Sequence, residues 1–188
     1  MSMYGKYKDD YELQDAPHLN GKGTRTVAVY KGGYWRYELS DREYRRFLWR
    51  MVLLLVGMTG LYAAMAILPA GPLGSSGPAA PYVLLPYAML LFPLGMCWGK
   101  VLSLAFAGRE LQRREYEQWV VRRRQYTVAL LLCAAAAGAG GLVYTVANRD
   151  AEKIVQNVWF VLLAALMTAL CWIFLLLQDH AVCTKLDK

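Results

Sequence analysis

Three long stretches without a charged residue constrain what this chain can fold into. Residues 51–99, 125–148 and 154–178 contain no Asp, Glu, Lys, Arg or His. A charge-free apolar run of about 18 residues or more is typical of a membrane-spanning helix. The first stretch is long enough for two spans, and its Gly- and Pro-rich segment 69–81 predicts a loop between them. The sequence therefore predicts an all-α integral membrane protein, a four-helix transmembrane bundle with spans near 47–68, 82–107, 126–146 and 154–177.

The basic residues predict how those spans are oriented. The 188 residues include 21 Lys and Arg against 14 Asp and Glu, and seven of the 21 lie within 100–124. The loop at 69–81 has none, and only Arg149 and Lys153 lie between the last two spans. Loops rich in Lys and Arg stay on the cytoplasmic side. We therefore expect a multi-pass protein of the cell membrane, with residues 100–124 and both termini in the cytoplasm.

The net charge of +7 also predicts a partner. On this topology the excess positive charge lies at the inner membrane surface, where it meets anionic lipid. The residues assigned to that contact are Arg45, Arg46, Arg122, Arg123 and Arg124. Because the membrane accounts for the charge, we expect no nucleic acid as a partner.

Residues 1–40 form a polar region ahead of the first span. We expect residues 1–26 to be a flexible tail, since they have no sustained apolar period. In TVAVYKGGYWRYELS (26–40) apolar residues alternate on both sides of Lys31-Gly32-Gly33, which predicts a small cytoplasmic β-hairpin over 24–39. A lone hairpin is marginal in water, so either the 100–124 turn or a partner protein must cover it. The predicted contact residues are Trp35, Tyr37 and Trp119, with anchoring at the lipid interface as the alternative.

Capping and packing signals divide the remaining chain. Ser40 followed by Glu43 predicts a capping box that starts a helix running into the first span. We accordingly divide the chain into 1–40, a transmembrane domain at 41–178 and a cytoplasmic tail at 179–188. Small residues let helices approach closely, which assigns packing roles to Gly57, Gly60, Ala134, Gly138 and Gly141. A homo-oligomeric seam is the alternative for those in the third span. Pro93 lies inside the second span and predicts a kink.

The chemistry of the spans favours a noncatalytic role. No span has an ionisable residue in its middle, where transporters and pumps usually keep one. The chain also lacks the HExxH, GxSxG and P-loop patterns, so we assign no catalytic residue, cofactor or metal. By elimination the sequence favours an accessory or regulatory subunit that binds a partner through the hairpin and the basic turn. The alternatives are a small oligomeric transporter or channel for a neutral substrate, or a membrane enzyme acting on lipid at the inner interface.

Overall fold

Four helices that are long and apolar enough to cross a membrane dominate the structure. A computed structural model describes residues 8–17, 24–67, 80–147 and 151–186. The four long helices are α1 (Asp41–Ile67), α2 (Pro81–Ala107), α4 (Arg122–Ala147) and α5 (Ala151–His180). A short helix α3 (Arg113–Tyr116) and a π-helical turn (Glu117–Val121) lead into α4. Each predicted span coincides with one long helix, and most of the loop predicted at 69–81 lies outside the described residues.

Local signals explain where these helices begin and end. The predicted capping box is present at the start of α1, where the Ser40 backbone N–H donates to Glu43 Oε2 at 2.9 Å. Pro81 begins α2, a position where its missing N–H costs nothing. At the other end of α2, Gly108 has a φ of 83°, which a residue with a side chain rarely adopts. Gly108 therefore ends α2 and redirects the chain into a short strand.

The core of the bundle is built from one stripe of each helix. Buried positions recur every three or four residues, as expected for a helix with one packed face. In α4 these positions are Arg123, Thr127, Leu130, Ala134, Ala137, Gly140 and Gly141. The outer positions of the helices carry exposed apolar side chains such as Leu53, Phe92 and Trp172. That distribution is expected if lipid covers the outer surface.

Small residues of α4 set its distance to two neighbouring helices. A Cβ placed on Gly140 would lie 2.6 Å from the Tyr82 carbonyl oxygen of α2. On the side that faces α5, a Cβ placed on Gly138 would lie 3.3 Å from Ala164 Cβ. A Cβ placed on Gly141 would lie 2.9 Å from Phe160 Cδ1. Helix α4 therefore packs between α2 and α5, in positions where only Gly fits without movement.

The other predicted packing and kink residues occupy different environments. Ala134 is fully buried, and a Cβ on Gly57 would lie 3.6 Å from Leu170 Cδ1 of α5. Gly60 does not make the predicted helix contact, since no atom of a described neighbour lies within 4 Å of a Cβ placed on it. The reason is that Gly60 lies on the exposed side of α1, away from its buried stripe. Pro93 is buried within α2, which continues through it from Pro81 to Ala107.

Five strands in the described ranges form two small antiparallel sheets. The first, which we call the ribbon, pairs β1 (Tyr11–Pro17) with β2 (Thr24–Tyr30). The second, which we call the end sheet, has the order β4–β3–β5, with β3 at Tyr34–Tyr37, β4 at Glu110–Gln112 and β5 at Cys183–Leu186. The N-terminal region thus contains a hairpin, and residues 11–17 are a strand rather than part of a flexible tail. Residues 1–7 and 18–23 lie outside the described ranges.

The predicted pairing of the hairpin over 24–39 is wrong. Strand β2 pairs with the upstream β1, and β3 pairs with β4 and β5 instead of with β2. The Asp10 carbonyl accepts the backbone N–H groups of Lys31 and Gly32, which directs this turn towards the start of β1. As the central strand of a three-stranded sheet, β3 forms hydrogen bonds on both edges, whereas a two-stranded hairpin would satisfy only one.

Candidate functional site: the strand-bearing end of the bundle

The end sheet joins three distant parts of the chain at one end of the bundle. Strand β3 precedes α1, β4 follows α2, and β5 follows α5. Trp35 of β3 lies opposite Leu111 on one side and Lys185 on the other. Beyond the ladder, the Tyr37 N–H donates to the Arg109 carbonyl at 3.4 Å. The sheet therefore ties the ends of α1, α2 and α5 together through backbone hydrogen bonds.

The aromatic residues that were predicted to contact a partner make most of their contacts within the chain. Trp35 stacks on Tyr116 of α3, with ring centroids 4.2 Å apart and planes 6° from parallel. Tyr37 is buried, and its ring lies 5.4 Å from that of Tyr44. Trp119 is half-buried and packs against the core. Tyr37 thus lies in the core rather than on a contact surface, because β3 lies across one end of the helix bundle.

Tyr30 fastens the ribbon to the end sheet. Its hydroxyl donates to the Gly33 carbonyl and accepts the Arg113 backbone N–H, both at 3.0 Å. Its ring makes edge contacts with those of Tyr11 and Tyr34, at centroid distances of 5.2 and 5.3 Å. Burial raises the pKa of Tyr30, so its hydroxyl, which is protonated at neutral pH in any case, remains a donor at still higher pH. The ribbon is therefore attached at the end where β1 begins and β2 finishes.

Most of the ribbon beyond that attachment is exposed. Leu13 is 72% exposed, and Val29 is also exposed on the opposite face. Leu13 lies opposite Ala28, which is exposed as well. A surface salt bridge joins Glu12 of β1 to Lys31, the residue that follows β2. Each strand of the ribbon is paired only with the other in the described structure, so each has one unpaired edge.

Arg123 lies in an unexpected place for a charged side chain. It is 1% exposed, although the sequence assigned it to lipid headgroups. Its Nε and Nη1 atoms have no hydrogen-bond partner among the described residues. A buried ion without a paired charge costs several kcal/mol, and a guanidinium does not lose its proton at physiological pH. The prediction of lipid contact fails because Arg123 lies on the core stripe of α4, which places it inside the bundle.

The side chains around Arg123 are polar but neutral. Burial raises the pKa of Tyr37 well above its usual value, and it raises the pKa of the Cys183 thiol to about 11; the charge of Arg123 opposes both shifts. One turn further along α4, the Thr127 hydroxyl accepts a hydrogen bond from Gln178 Nε2 at 2.9 Å and donates to the Arg123 carbonyl at 3.0 Å. None of these groups carries a negative charge at neutral pH, and none forms a hydrogen bond with Nε or Nη1 of Arg123, so the charge of the guanidinium is not neutralised by them.

The remaining basic residues of the predicted lipid contact lie on the surface. Arg45, Arg46, Arg122 and Arg124 are all exposed. Arg124 pairs with Asp179 at 3.4 Å, which joins the start of α4 to the end of α5. The strand-bearing end therefore combines a basic rim with an aromatic sheet that is covered by its own chain.

Comparison with family models, curated proteins and solved structures gives no match to this chain. Within the described ranges, no three His, Cys, Asp or Glu side chains are grouped so that they could hold a metal ion. The ribbon and the basic rim are therefore the features of this end that bear on function.

Proposed function

We propose that the protein is a noncatalytic multi-pass protein of the cell membrane, an accessory or regulatory subunit that binds a cytoplasmic partner protein through the ribbon. The observation that carries the proposal is the exposure of the ribbon. Two strands of seven residues extend from one attachment and leave Leu13 72% exposed. Isolated two-stranded hairpins are only marginally stable in water, so a ribbon of this kind gains stability when another surface covers it.

The proposed orientation puts the strand-bearing end in the cytoplasm. The exposed arginines at the start of α1 and α4 lie at this end, together with Arg113 and Arg114 after β4. Positive-inside asymmetry favours this arrangement, because the loop at 69–81 has no Lys or Arg. In that orientation both termini are cytoplasmic, and the ribbon is accessible to soluble proteins.

The geometry of the ribbon favours one kind of partner. The unpaired edges of β1 and β2 offer backbone donors and acceptors to an added strand. Tyr11 and Leu13 alternate with polar residues and therefore share one face of β1. We propose that a segment of the partner adds to β1 as a strand and covers this face. The binding surface differs from the one predicted at Trp35 and Tyr37, because α3 and the helix ends already cover those two residues.

The experiment compares two single substitutions on neighbouring positions of β1. The protein is purified from its native membrane with a mild detergent, and stoichiometric co-purifying protein is measured for the wild type, Leu13→Asp and Gln14→Asp. We expect Leu13→Asp to lose the partner and Gln14→Asp to retain it, because Gln14 lies on the opposite face. Both variants should melt like the wild type, since both side chains are exposed.

Two results would contradict the proposal. One is that the wild type carries no stoichiometric partner under conditions in which the bundle stays folded. The other is that Leu13→Asp retains the partner as fully as Gln14→Asp does, which would place the contact elsewhere.

A further inference from the structure

Two cavities meet between α1 and α2 at the strand-bearing end. The first has a volume of about 590 Å³ and a largely charged lining, which includes Arg36, Asp41, Arg45, Arg109 and Glu110. The second has a volume of about 260 Å³ and is lined by Arg45, Leu48, Trp49, Val52 and Ala105. Arg45, Leu48 and Ala105 line both cavities. Together they form one groove that changes from charged to apolar along the helices.

The groove exists because α1 and α2 pack less extensively than the other neighbouring helix pairs. The wall that α2 contributes consists of small residues, Ala105 and Ala107, and of Gly108 where the helix ends. Hydrogen bonds join α1 and α2 on both sides of the groove along the helix axes. The Tyr44 hydroxyl donates to the Gly108 carbonyl at 2.8 Å, and Trp98 Nε1 donates to Thr59 Oγ1 at 3.0 Å. The space is therefore part of the fold and is bounded by fixed contacts.

The charged part of the groove has an excess of one positive charge. Three guanidinium groups, of Arg36, Arg45 and Arg109, face two carboxylates, of Asp41 and Glu110, so the sum is +1. Asp41 is paired with Arg109, which also donates to the Leu39 carbonyl. Arg45 forms no ion pair with any residue that the structure describes. Its guanidinium is therefore free to bind an anion at the point where the two cavities join.

We propose that this groove binds one anionic glycerophospholipid of the inner leaflet. The phosphate lies against Arg45 and Arg36, and an acyl chain follows Leu48 and Val52 beside Ala105. A headgroup with one net negative charge complements the net charge of the lining. Trp49 is exposed at the apolar part of the groove, and Trp is enriched where a helix crosses the lipid interface.

This inference depends on the membrane orientation proposed above but not on the ribbon or its partner. General attraction between basic residues and an anionic membrane involves every exposed arginine near the surface. A groove that holds one lipid predicts instead that only the arginines lining it matter, and that filling the apolar part also weakens binding.

The test measures lipid binding to the purified, delipidated full chain by native mass spectrometry. Phosphatidylglycerol, phosphatidylcholine, phosphatidylethanolamine and inorganic phosphate are titrated separately. We expect one phosphatidylglycerol per chain, bound at least about tenfold more tightly than either zwitterionic lipid. Arg45→Gln should weaken it about tenfold, since a charge-assisted hydrogen bond is lost. Ala105→Leu should weaken it comparably by occupying the space for the acyl chain.

Matched controls separate the groove from its surroundings. Arg42→Gln removes an exposed arginine and Ala63→Leu enlarges an exposed alanine, and both residues are on α1 outside the two cavities. We expect neither to change binding, and Leu13→Asp should also leave it unchanged, because the ribbon lies outside the groove. Equal losses in Arg42→Gln and Arg45→Gln would overturn the inference in favour of diffuse surface attraction. Equal binding of a zwitterionic lipid would overturn it too, as would phosphatidylglycerol binding that Ala105→Leu leaves unchanged, or inorganic phosphate that binds as tightly as phosphatidylglycerol.

Discussion

Replacing Arg123 with Met tests whether the buried charge lowers the stability of the bundle. The side chain is 1% exposed, and its Nε and Nη1 have no acceptor among the described residues. Each buried donor without a partner costs about 1–3 kcal/mol, so the two together cost at least about 2 kcal/mol. Met fills a similar length of the core without a charge. Replacing even a buried ion pair by apolar residues is often neutral or stabilising by about 1–4 kcal/mol, and an unpaired charge has less to offset its desolvation. We expect Arg123→Met to raise the free energy of unfolding by about 2 kcal/mol.

The assay is thermal unfolding in a nonionic detergent at neutral pH, followed by circular dichroism. A gain of about 2 kcal/mol corresponds to an increase of about 4–8 °C in Tm for a chain of this length. Arg124→Met is the control, because Arg124 is exposed and its surface pair with Asp179 is worth about 0–1 kcal/mol. A lower Tm for Arg123→Met, with Arg124→Met unchanged, would refute the reasoning, since it would show that the guanidinium has a compensating partner in the folded protein.

Further predictions concern packing, stacking and pH. Gly140→Ala should lower the free energy of unfolding by about 1–3 kcal/mol, because its Cβ would meet the Tyr82 carbonyl oxygen at 2.6 Å. Gly60→Ala, which has open space, should instead gain up to about 1 kcal/mol of helix propensity; equal melting of the two variants would contradict this packing. Trp35→Ala should cost about 2 kcal/mol by removing a stacked, half-buried ring, and unchanged melting would show that the stack does not hold the end sheet. Because burial raises the pKa of Cys183 from 9.0 to about 11, its contribution to stability is complete below pH 9 and is lost as the pH rises towards 11. In melting curves across that interval, Cys183→Ala should lose less stability than the wild type, and an identical loss would exclude the thiol as the cause.

The helices could be predicted because their signals are local. A span is defined by a contiguous run without charges, and the Ser40–Glu43 capping box lies within four residues. The close approach of α4 to its neighbours follows from helical spacing of Gly and Ala, which needs no knowledge of the partner helix. Gly60 shows the limit of that reasoning, because small residues on the exposed side of a helix look the same in the sequence.

The end sheet could not be predicted because its strands are far apart in the chain. Trp35 pairs with Leu111 and Lys185, each beyond at least two spans, and neither β4 nor β5 is longer than four residues. Nothing in a strand this short indicates which partner it takes. The Lys31-Gly32-Gly33 turn also satisfied the pattern of a local hairpin, and that pattern led to the wrong pairing.

Arg123 could have been found from the sequence. Three consecutive arginines on a helix point in directions about 100° apart, so they do not all face lipid headgroups. Arg123 precedes Thr127, Leu130, Ala134, Ala137 and Gly141 at the three- and four-residue spacing of the packed stripe. The charge of a segment as a whole does not contain that information, whereas the packed stripe, extended back to the first turn of α4, places Arg123 inside the bundle.

The central claim is that the strand-bearing end lies in the cytoplasm, and cysteine accessibility in intact cells tests it most directly. The four native cysteines are replaced by alanine, and a single cysteine is introduced either at Ser75, in the segment that joins α1 to α2, or at Arg114, which is exposed after β4. The account predicts that a membrane-impermeant thiol reagent labels the Ser75→Cys protein in intact cells and labels the Arg114→Cys protein only after the cells are opened. Labelling of Arg114→Cys but not of Ser75→Cys in intact cells would contradict the orientation, and with it the cytoplasmic ribbon and the inner-leaflet lipid.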